Sequence, residues 1–219
     1  MDSQDRRLRE ASGGGCMRDE KAVITHHEAG HAIAALMTVV GDLNGRVSAT
    51  IVAGRGTGYA EIVHWLTREP VQAAFVFFAG PWAEARAQWQ QPALEGLDAT
   101  DANGRSFRET VAAAFRDAPH FGGTSDLALY TEMTTIDSSI PEREPYWSRE
   151  LERAWPVIQE LASTLRDGLD SAEPRPGPYA EELPANRHRT MISAEMAAAD
   201  VVALVQPRLE ERGIWRYIT

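Results

Sequence analysis

The chain has 219 residues, of which 43% are hydrophobic and 25% are charged, and it contains one cysteine. This length and composition favour one globular domain, at most with an appendage. A single cysteine excludes an internal disulfide framework and any zinc site built from several thiolates. The formal net charge of −10 argues against a surface that binds phosphates, so we expect no nucleic-acid partner.

The first 18 residues are polar and rich in glycine, which predicts a flexible leader. They lack the apolar segment of a secretory signal. No stretch of the chain reaches the roughly 18–20 apolar residues that a membrane-spanning helix needs. We therefore expect a soluble, cytoplasmic protein without a membrane span.

Residues 19–40 are predicted to form a helix, because small and apolar residues recur there at helical spacing. Asp19 and Glu20 suit the first turn, where the helix dipole favours negative charge. Gly41 and Asp42 are predicted to end it.

Alternation of apolar and polar residues predicts two strands, over residues 46–53 and 59–65. Gly54, Gly56 and Gly58 lie between the apolar stretches and predict a turn. The two strands are therefore expected to form a β-hairpin.

Further helices are predicted from apolar stripes, caps and helix breakers. Pro70 suits the first turn of one helix, and Pro81 is expected to kink that helix because it lacks a backbone donor. Ser106 and Glu109 form a capping-box pattern, and Ser125 is a candidate N-cap. These helices cover residues 70–89, 106–119, 126–136, 148–169 and 193–205.

The pattern as a whole predicts a mainly α (α+β) fold with one small sheet. Residues 19–170 are predicted to form the domain. Because 171–184 contains four prolines, residues 171–192 are predicted to be a linker, and 193–219 a C-terminal helix and tail.

The residues that carry chemistry are His27-Glu28-Ala29-Gly30-His31, an H-E-x-x-H motif on the first helix. Residues four apart lie one helical turn from each other, so both imidazoles can reach one metal ion. Neutral histidines suit Zn²⁺, and Glu28 beside them can take a proton from a metal-activated water. The bare motif also fits a surface helix with no metal. Two features favour the metal site. The histidines share the apolar face of the helix, where burial without a partner is costly. Gly30 in mid-helix is about 1 kcal/mol less favourable than alanine, so a compensating role is expected.

A catalytic zinc ion needs a third protein ligand and an open position. The chain lacks the third histidine of the metzincin pattern. Carboxylate candidates are Glu61, Glu84 and Asp126, and Asp126 is the best of them because it starts a helix behind a glycine turn.

Four blocks of the chain, in order, resemble the peptidase domain of the FtsH family, the AAA-linked zinc metallopeptidases. The first block is similar to the family's H-E-A-G-H-A signature, and the last to its G-A-x-N-D-L segment. The blocks lie within residues 26–32, 47–59, 79–84 and 122–127. The sequence departs from the family pattern at Pro81 and Ser125.

This resemblance implies a zincin-like peptidase fold and zinc held by His27, His31 and Asp126, with Glu28 as the general base. Glu84 would orient a ligand histidine from outside the coordination sphere. The strand at 46–53, or its neighbour, would offer an edge to an extended polypeptide substrate. The aspartate-ligand fungal zincins share a G-T-x-D pattern and also point to Asp126, but they match less well.

The resemblance also implies an ATPase or a homo-oligomer as partner. No phosphate-binding loop of the G-x-x-x-x-G-K-[ST] type occurs in the 219 residues, so an ATPase would have to come from outside them. The predicted activity is metal-dependent hydrolysis of peptide bonds. The alternatives are a zinc hydrolase of a non-protein amide and a metal-stabilised regulatory or interaction protein. His26 and His120 are interpreted first as surface histidines, although His120 could reach the site.

Overall fold

The computed structural model of the chain describes residues 19–39, 41–52, 55–63, 69–89, 94–117, 125–176 and 190–219. Six helices and four strands lie in these ranges. The helices are α1 (Glu20–Met37), α2 (Pro70–Gln88), α3 (Phe107–Asp117), α4 (Asp126–Ile136), α5 (Ile140–Ser171) and α6 (Ala198–Glu211). The strands are β1 (Asp42–Val52), β2 (Arg55–Val63), β3 (Arg175–Pro176) and β4 (Thr190–Ala197). The predicted fold class, mainly helical with a small antiparallel sheet, is confirmed.

Helix α1 forms within the predicted residues 19–40, but it ends at Met37, before the predicted stop at Gly41 and Asp42. The side chain of Asp19 accepts a hydrogen bond from the backbone N–H of Ala22 and so caps the first turn. Every residue from His27 to the last turn is buried. Helix α1 is therefore a central element of the core, and any polar group on it must find a partner inside the protein.

Helix α2 packs directly on α1 and supplies three of the five largest fully buried side chains among the described residues. A Cβ atom at Gly30 of α1 would lie 2.5 Å from the carbonyl oxygen of Ala79 and 2.8 Å from Cβ of Ala83. Gly30 therefore allows the two helices to approach closely, which explains a glycine in mid-helix. The three from α2 are Phe75, Phe78 and Trp82. The other two are Phe107 of α3 and Trp147 of α5.

The sheet has the strand order β2-β1-β4-β3, with antiparallel pairing throughout. The predicted hairpin is present, but Gly56 and Gly58 are strand residues of β2 and do not belong to the turn as predicted. Position 54 lies outside the described residues. The resemblance implied a substrate edge at β1 or its neighbour, and β1 is excluded because it pairs with both β2 and β4. Among the described strands, its neighbour β2 is one edge of the sheet and β3 is the other.

Two predictions for the C-terminal region are wrong. Residues 193–197 are not the start of a helix: they belong to β4, which pairs with β1 from Arg46↔Ala197 to Val52↔Met191. Part of the predicted linker is likewise strand, since β3 pairs with the start of β4. Helix α6 begins at Ala198 and continues through Pro207 to Glu211. Pairing with β1 outweighs the local helix propensity of this segment.

Helices α3 and α4 carry the expected caps, and α4 has the predicted bounds, whereas α5 is longer than predicted. Ser106 and Glu109 exchange the reciprocal hydrogen bonds of a capping box. Helix α5 starts eight residues before the predicted position 148, at Ile140. Pro141 lies in its first turn, where the backbone donor has no helical partner anyway, so this proline does not prevent the helix from starting early.

No helix within the described residues combines the length and the hydropathy needed to cross a membrane.

Candidate metal centre

The centre is built from two adjacent turns of α1 and the first residue of α4. His27 and His31 are one turn apart and only 8% and 7% exposed. Asp126 begins α4, where the hydroxyl of Ser125 accepts a hydrogen bond from the backbone N–H of Ala128. This N-cap determines where α4 starts, and it thereby sets the position of Asp126.

Three ligand-type atoms converge in this centre. Oδ2 of Asp126 lies 3.0 Å from Nε2 of His27 and 3.3 Å from Nε2 of His31, and the two Nε2 atoms are 3.1 Å apart. Among the described residues, these three form the cluster of His and acidic side chains that could hold a metal ion. The structure therefore brings together the three residues predicted as ligands, and their role as ligands stays a prediction.

The opposite edges of both imidazole rings face hydrogen-bond acceptors. Nδ1 of His31 lies 2.8 Å from the backbone carbonyl oxygen of Val76, and Nδ1 of His27 lies 3.4 Å from Oε2 of Glu84. The other carboxylate oxygen of Glu84 accepts a hydrogen bond from Gln88. With acceptors at Nδ1, each neutral ring carries its proton there and turns the Nε2 lone pair toward Asp126.

The donor set fits a zinc ion. Two neutral imidazoles and one carboxylate are a common set of protein ligands for catalytic zinc, which leaves one position of the tetrahedron open. Ligand atoms around tetrahedral zinc at usual bond lengths lie about 3.3–3.6 Å apart, close to the 3.0–3.3 Å separations found here. Without a cation or a proton between them, two lone pairs and a carboxylate oxygen would face each other in a buried space.

The acidities of the three groups reflect this arrangement. Burial lowers the pKa of His27, but the hydrogen bonds to Asp126 and Glu84 and the charges of Asp126 and Glu28 outweigh burial and raise it to about 10. The pKa of His31 is also raised, because the attraction of Asp126 outweighs burial. For Asp126, burial is outweighed by the two imidazoles, which hold the pKa of its carboxyl well below its usual range. The cluster therefore attracts positive charge strongly.

Glu28 lies between the two histidines in sequence and is 3% exposed. Its Oε2 atom is buried and has no hydrogen-bond partner among the described residues. Burial raises the pKa of Glu28 to about 7. A buried carboxylate oxygen without a partner is costly, and a pKa near neutrality suits a group that takes and returns a proton.

The remaining candidate residues divide into three groups. Glu84 contacts His27 and lies outside the triad, as its predicted role requires. His120 and the side chain of Glu61 lie outside what the structure describes. His26 is half-buried, stacks on Trp155, and its pKa is lowered by burial, which fits its interpretation as a non-ligand.

Tyr130, one turn after Asp126, does not enter the centre with its hydroxyl group. The hydroxyl donates to Oε1 of Glu144 on α5 at 2.7 Å, and its ring packs against Phe78 and Phe115. Tyr130 therefore joins α4 to the rest of the core.

Sequence reasoning missed the carbonyl of Val76 and the amide of Gln88. A backbone carbonyl carries no residue-type signal, so nothing in the sequence could have indicated Val76. Gln88 follows Glu84 by four residues on a predicted helix, a spacing that brings side chains together and could have indicated this pair.

Comparisons with known proteins give no relative for this chain: no family model matches it, and no curated protein or solved structure matches it significantly. The assignment of a function therefore depends on the residues and their geometry.

Proposed function

We propose that this protein is a zinc-dependent metalloendopeptidase that hydrolyses peptide bonds with a metal-activated water. The observation that carries the proposal is the convergence of His27, His31 and Asp126 beside a buried, unpartnered carboxylate oxygen of Glu28. A purely structural metal site has no need of such a carboxylate.

Zinc bound to the three ligands would supply a Lewis acid and would lower the pKa of a water molecule from 15.7 toward about 7. Glu28 would accept the proton of the attacking water and deliver it to the leaving amine. Glu84 and the Val76 carbonyl hold the Nδ1 edges of the ligand histidines, and so keep both Nε2 lone pairs directed at the same point.

The four blocks that resemble FtsH-family peptidases support a polypeptide substrate. The antiparallel strand β2 supports it too, because an edge strand can bind an extended chain through main-chain hydrogen bonds. An ATPase from outside these residues, or a homo-oligomer, remains part of the proposal by the same resemblance.

Metal analysis and one substitution test the proposal. Purified protein is expected to hold one zinc ion per chain and to cleave unfolded casein. Glu28→Gln should keep its zinc and lose activity by about 10²–10⁴-fold, the usual contribution of a general base.

Glu150→Gln is the matched control, because Glu150 is also a buried glutamate but pairs with Arg153 on α5. It should keep nearly full activity. Full activity of Glu28→Gln would contradict the assignment of the base. Zinc binding without cleavage of casein or of a peptide library would favour a non-protein amide substrate or a regulatory role.

A further inference from the structure

Gly80 of α2 lies against the coordinating edge of His31. A Cβ atom at Gly80 would lie 2.3 Å from Nε2, 2.5 Å from Cε1 and 2.8 Å from Cδ2 of that ring. These three atoms are the nearest neighbours that such a Cβ would have. The space that a side chain would take at position 80 is therefore the space beside the nitrogen that faces Asp126.

The ring of His31 cannot easily move away from this position. Its Nδ1 atom is held at 2.8 Å by the carbonyl oxygen of Val76, which lies one turn before Gly80 on the same helix. The histidine is 7% exposed, so the surrounding core also resists a different rotamer. Helix α2 thus holds one edge of the ring with a carbonyl group and leaves room for the other edge with a glycine.

From this arrangement we propose that Gly80 is a positioning residue of the metal centre, which keeps Nε2 of His31 where a metal ion can bind it. The inference depends on the proposed metal site. A methyl group at position 80 would have to displace the ring by about 1 Å to reach ordinary van der Waals contact. Metal–ligand distances tolerate only about 0.2 Å, so a shift of this size removes His31 from the ligand set.

Zinc affinity, measured by competition with a chromophoric chelator, tests the consequence for the metal. Gly80→Ala should bind Zn²⁺ about a hundredfold more weakly than the unchanged protein.

The matched control for this measurement is Gly168→Ala. Gly168 also lies inside a helix, and its Cβ would meet Cβ of Ala194 at 2.8 Å, far from His31 in the chain. This variant should bind zinc within twofold of the unchanged protein. Unchanged zinc affinity of Gly80→Ala would overturn the proposal.

A double-mutant cycle tests the contact itself, without metal or activity. Thermal unfolding is measured in a chelating buffer for Gly80→Ala, His31→Ala and the double variant. Gly80→Ala should lower the melting temperature when His31 is present. It should not lower it in the His31→Ala background, because alanine is the better helix former and the clash is then absent.

An equal loss in both backgrounds would overturn the proposal. If Gly80→Ala alone does not fold, a folded double variant supports the proposal and an unfolded one overturns it. Failure of the unchanged protein to bind zinc would instead contradict the proposed function, and the cycle would still measure the contact between Gly80 and His31.

Discussion

Two buried polar clusters of this protein differ in how their hydrogen-bonding groups are matched. In the first, Arg86 donates to both carboxylate oxygens of Glu152, at 2.8 and 3.0 Å, and its guanidinium group lies 5.0 Å from the ring centre of Trp155. Glu152 also accepts a hydrogen bond from the backbone of Leu94. Each charge in this cluster faces an opposite charge in good geometry.

In the second cluster, the facing groups need a proton or a cation between them. Nε2 of His27, Nε2 of His31 and Oδ2 of Asp126 lie within 3.3 Å of one another, and Oε2 of Glu28 has no partner among the described residues. The first cluster is matched by its own side chains, whereas the second arrangement is favourable only with a proton or a metal cation between its members. The comparison therefore separates a cluster matched by its own side chains from one that fits the proposed metal ion.

The largest expected effect is the stabilisation of the second cluster by zinc. At free zinc about a thousand times above Kd, binding to the folded state adds about 4 kcal/mol to the free energy of unfolding. Calorimetry with and without zinc measures this as a rise in melting temperature. Asp126→Ala should abolish most of the rise, while Asp137→Ala, at the other end of α4, should preserve it. Equal stabilisation of both variants would mean that zinc binds elsewhere.

Breaking the first cluster should affect stability and leave metal binding unchanged. Arg86 is 4% exposed, so Arg86→Met leaves Glu152 without its charged partner. We expect a loss of about 3 kcal/mol in the free energy of unfolding, at the lower end for buried ion pairs because Glu152 retains some contact with water. Denaturant titration measures this loss, and chelator competition should give zinc affinity within twofold. A large loss of zinc affinity would show that the two clusters are coupled.

The sequence predicted the region around His27, His31 and Asp126 well for a physical reason. The spacing within the motif fixes the relative positions of His27, Glu28 and His31 on any helix. Ser125 marks the start of α4 and so places Asp126 at the first turn of that helix. The approach of Asp126 to the histidines is a long-range contact that spacing alone does not supply. The resemblance to a known family predicted it.

The C-terminal region was predicted poorly because its structure depends on a distant partner. Residues 193–197 contain alanine, methionine and glutamate, which favour a helix locally, yet they extend along β1. The cross-strand hydrogen bond between Thr50 and Ser193 and the ion pair between Arg46 and Glu195 become visible only once the strands are aligned. The same pairing with β4 excludes β1 as an edge and leaves its neighbour β2, the other strand that the resemblance allowed.

A smaller effect is expected from removing the outer support of the second cluster. Glu84→Ala takes away the acceptor at Nδ1 of His27, so the ring is no longer held in the tautomer that binds metal. Zinc affinity should fall about 10- to 100-fold. Glu132→Ala, on the exposed face of α4, is the control and should change it less than twofold. An unchanged affinity for Glu84→Ala would show that the Val76 carbonyl and the packing of α2 suffice to orient the site.

The mildest test is the pH dependence of zinc binding. In the metal-free protein the pKa of His27 is raised to about 10, because its partners Asp126 and Glu84 outweigh burial. Zinc must displace that proton, so affinity should rise at least about tenfold per pH unit below pH 10. At least one proton should be released, because the pKa of His31 is raised as well. The free energy of unfolding of the metal-free protein depends on pH in the opposite direction. A raised histidine pKa contributes stability that is complete below pH 6.5 and is lost as the pH rises through 10.

The stabilisation by zinc should therefore increase with pH over the same interval, as calorimetry at several pH values would measure. In Arg86→Met the slope should be unchanged, because the hydrogen bonds that this substitution removes go to Glu152 and not to the partners of His27. A flat profile between pH 6.5 and 10 would show that His27 carries no proton to displace. The second cluster would then not attract positive charge more strongly than ordinary histidines do.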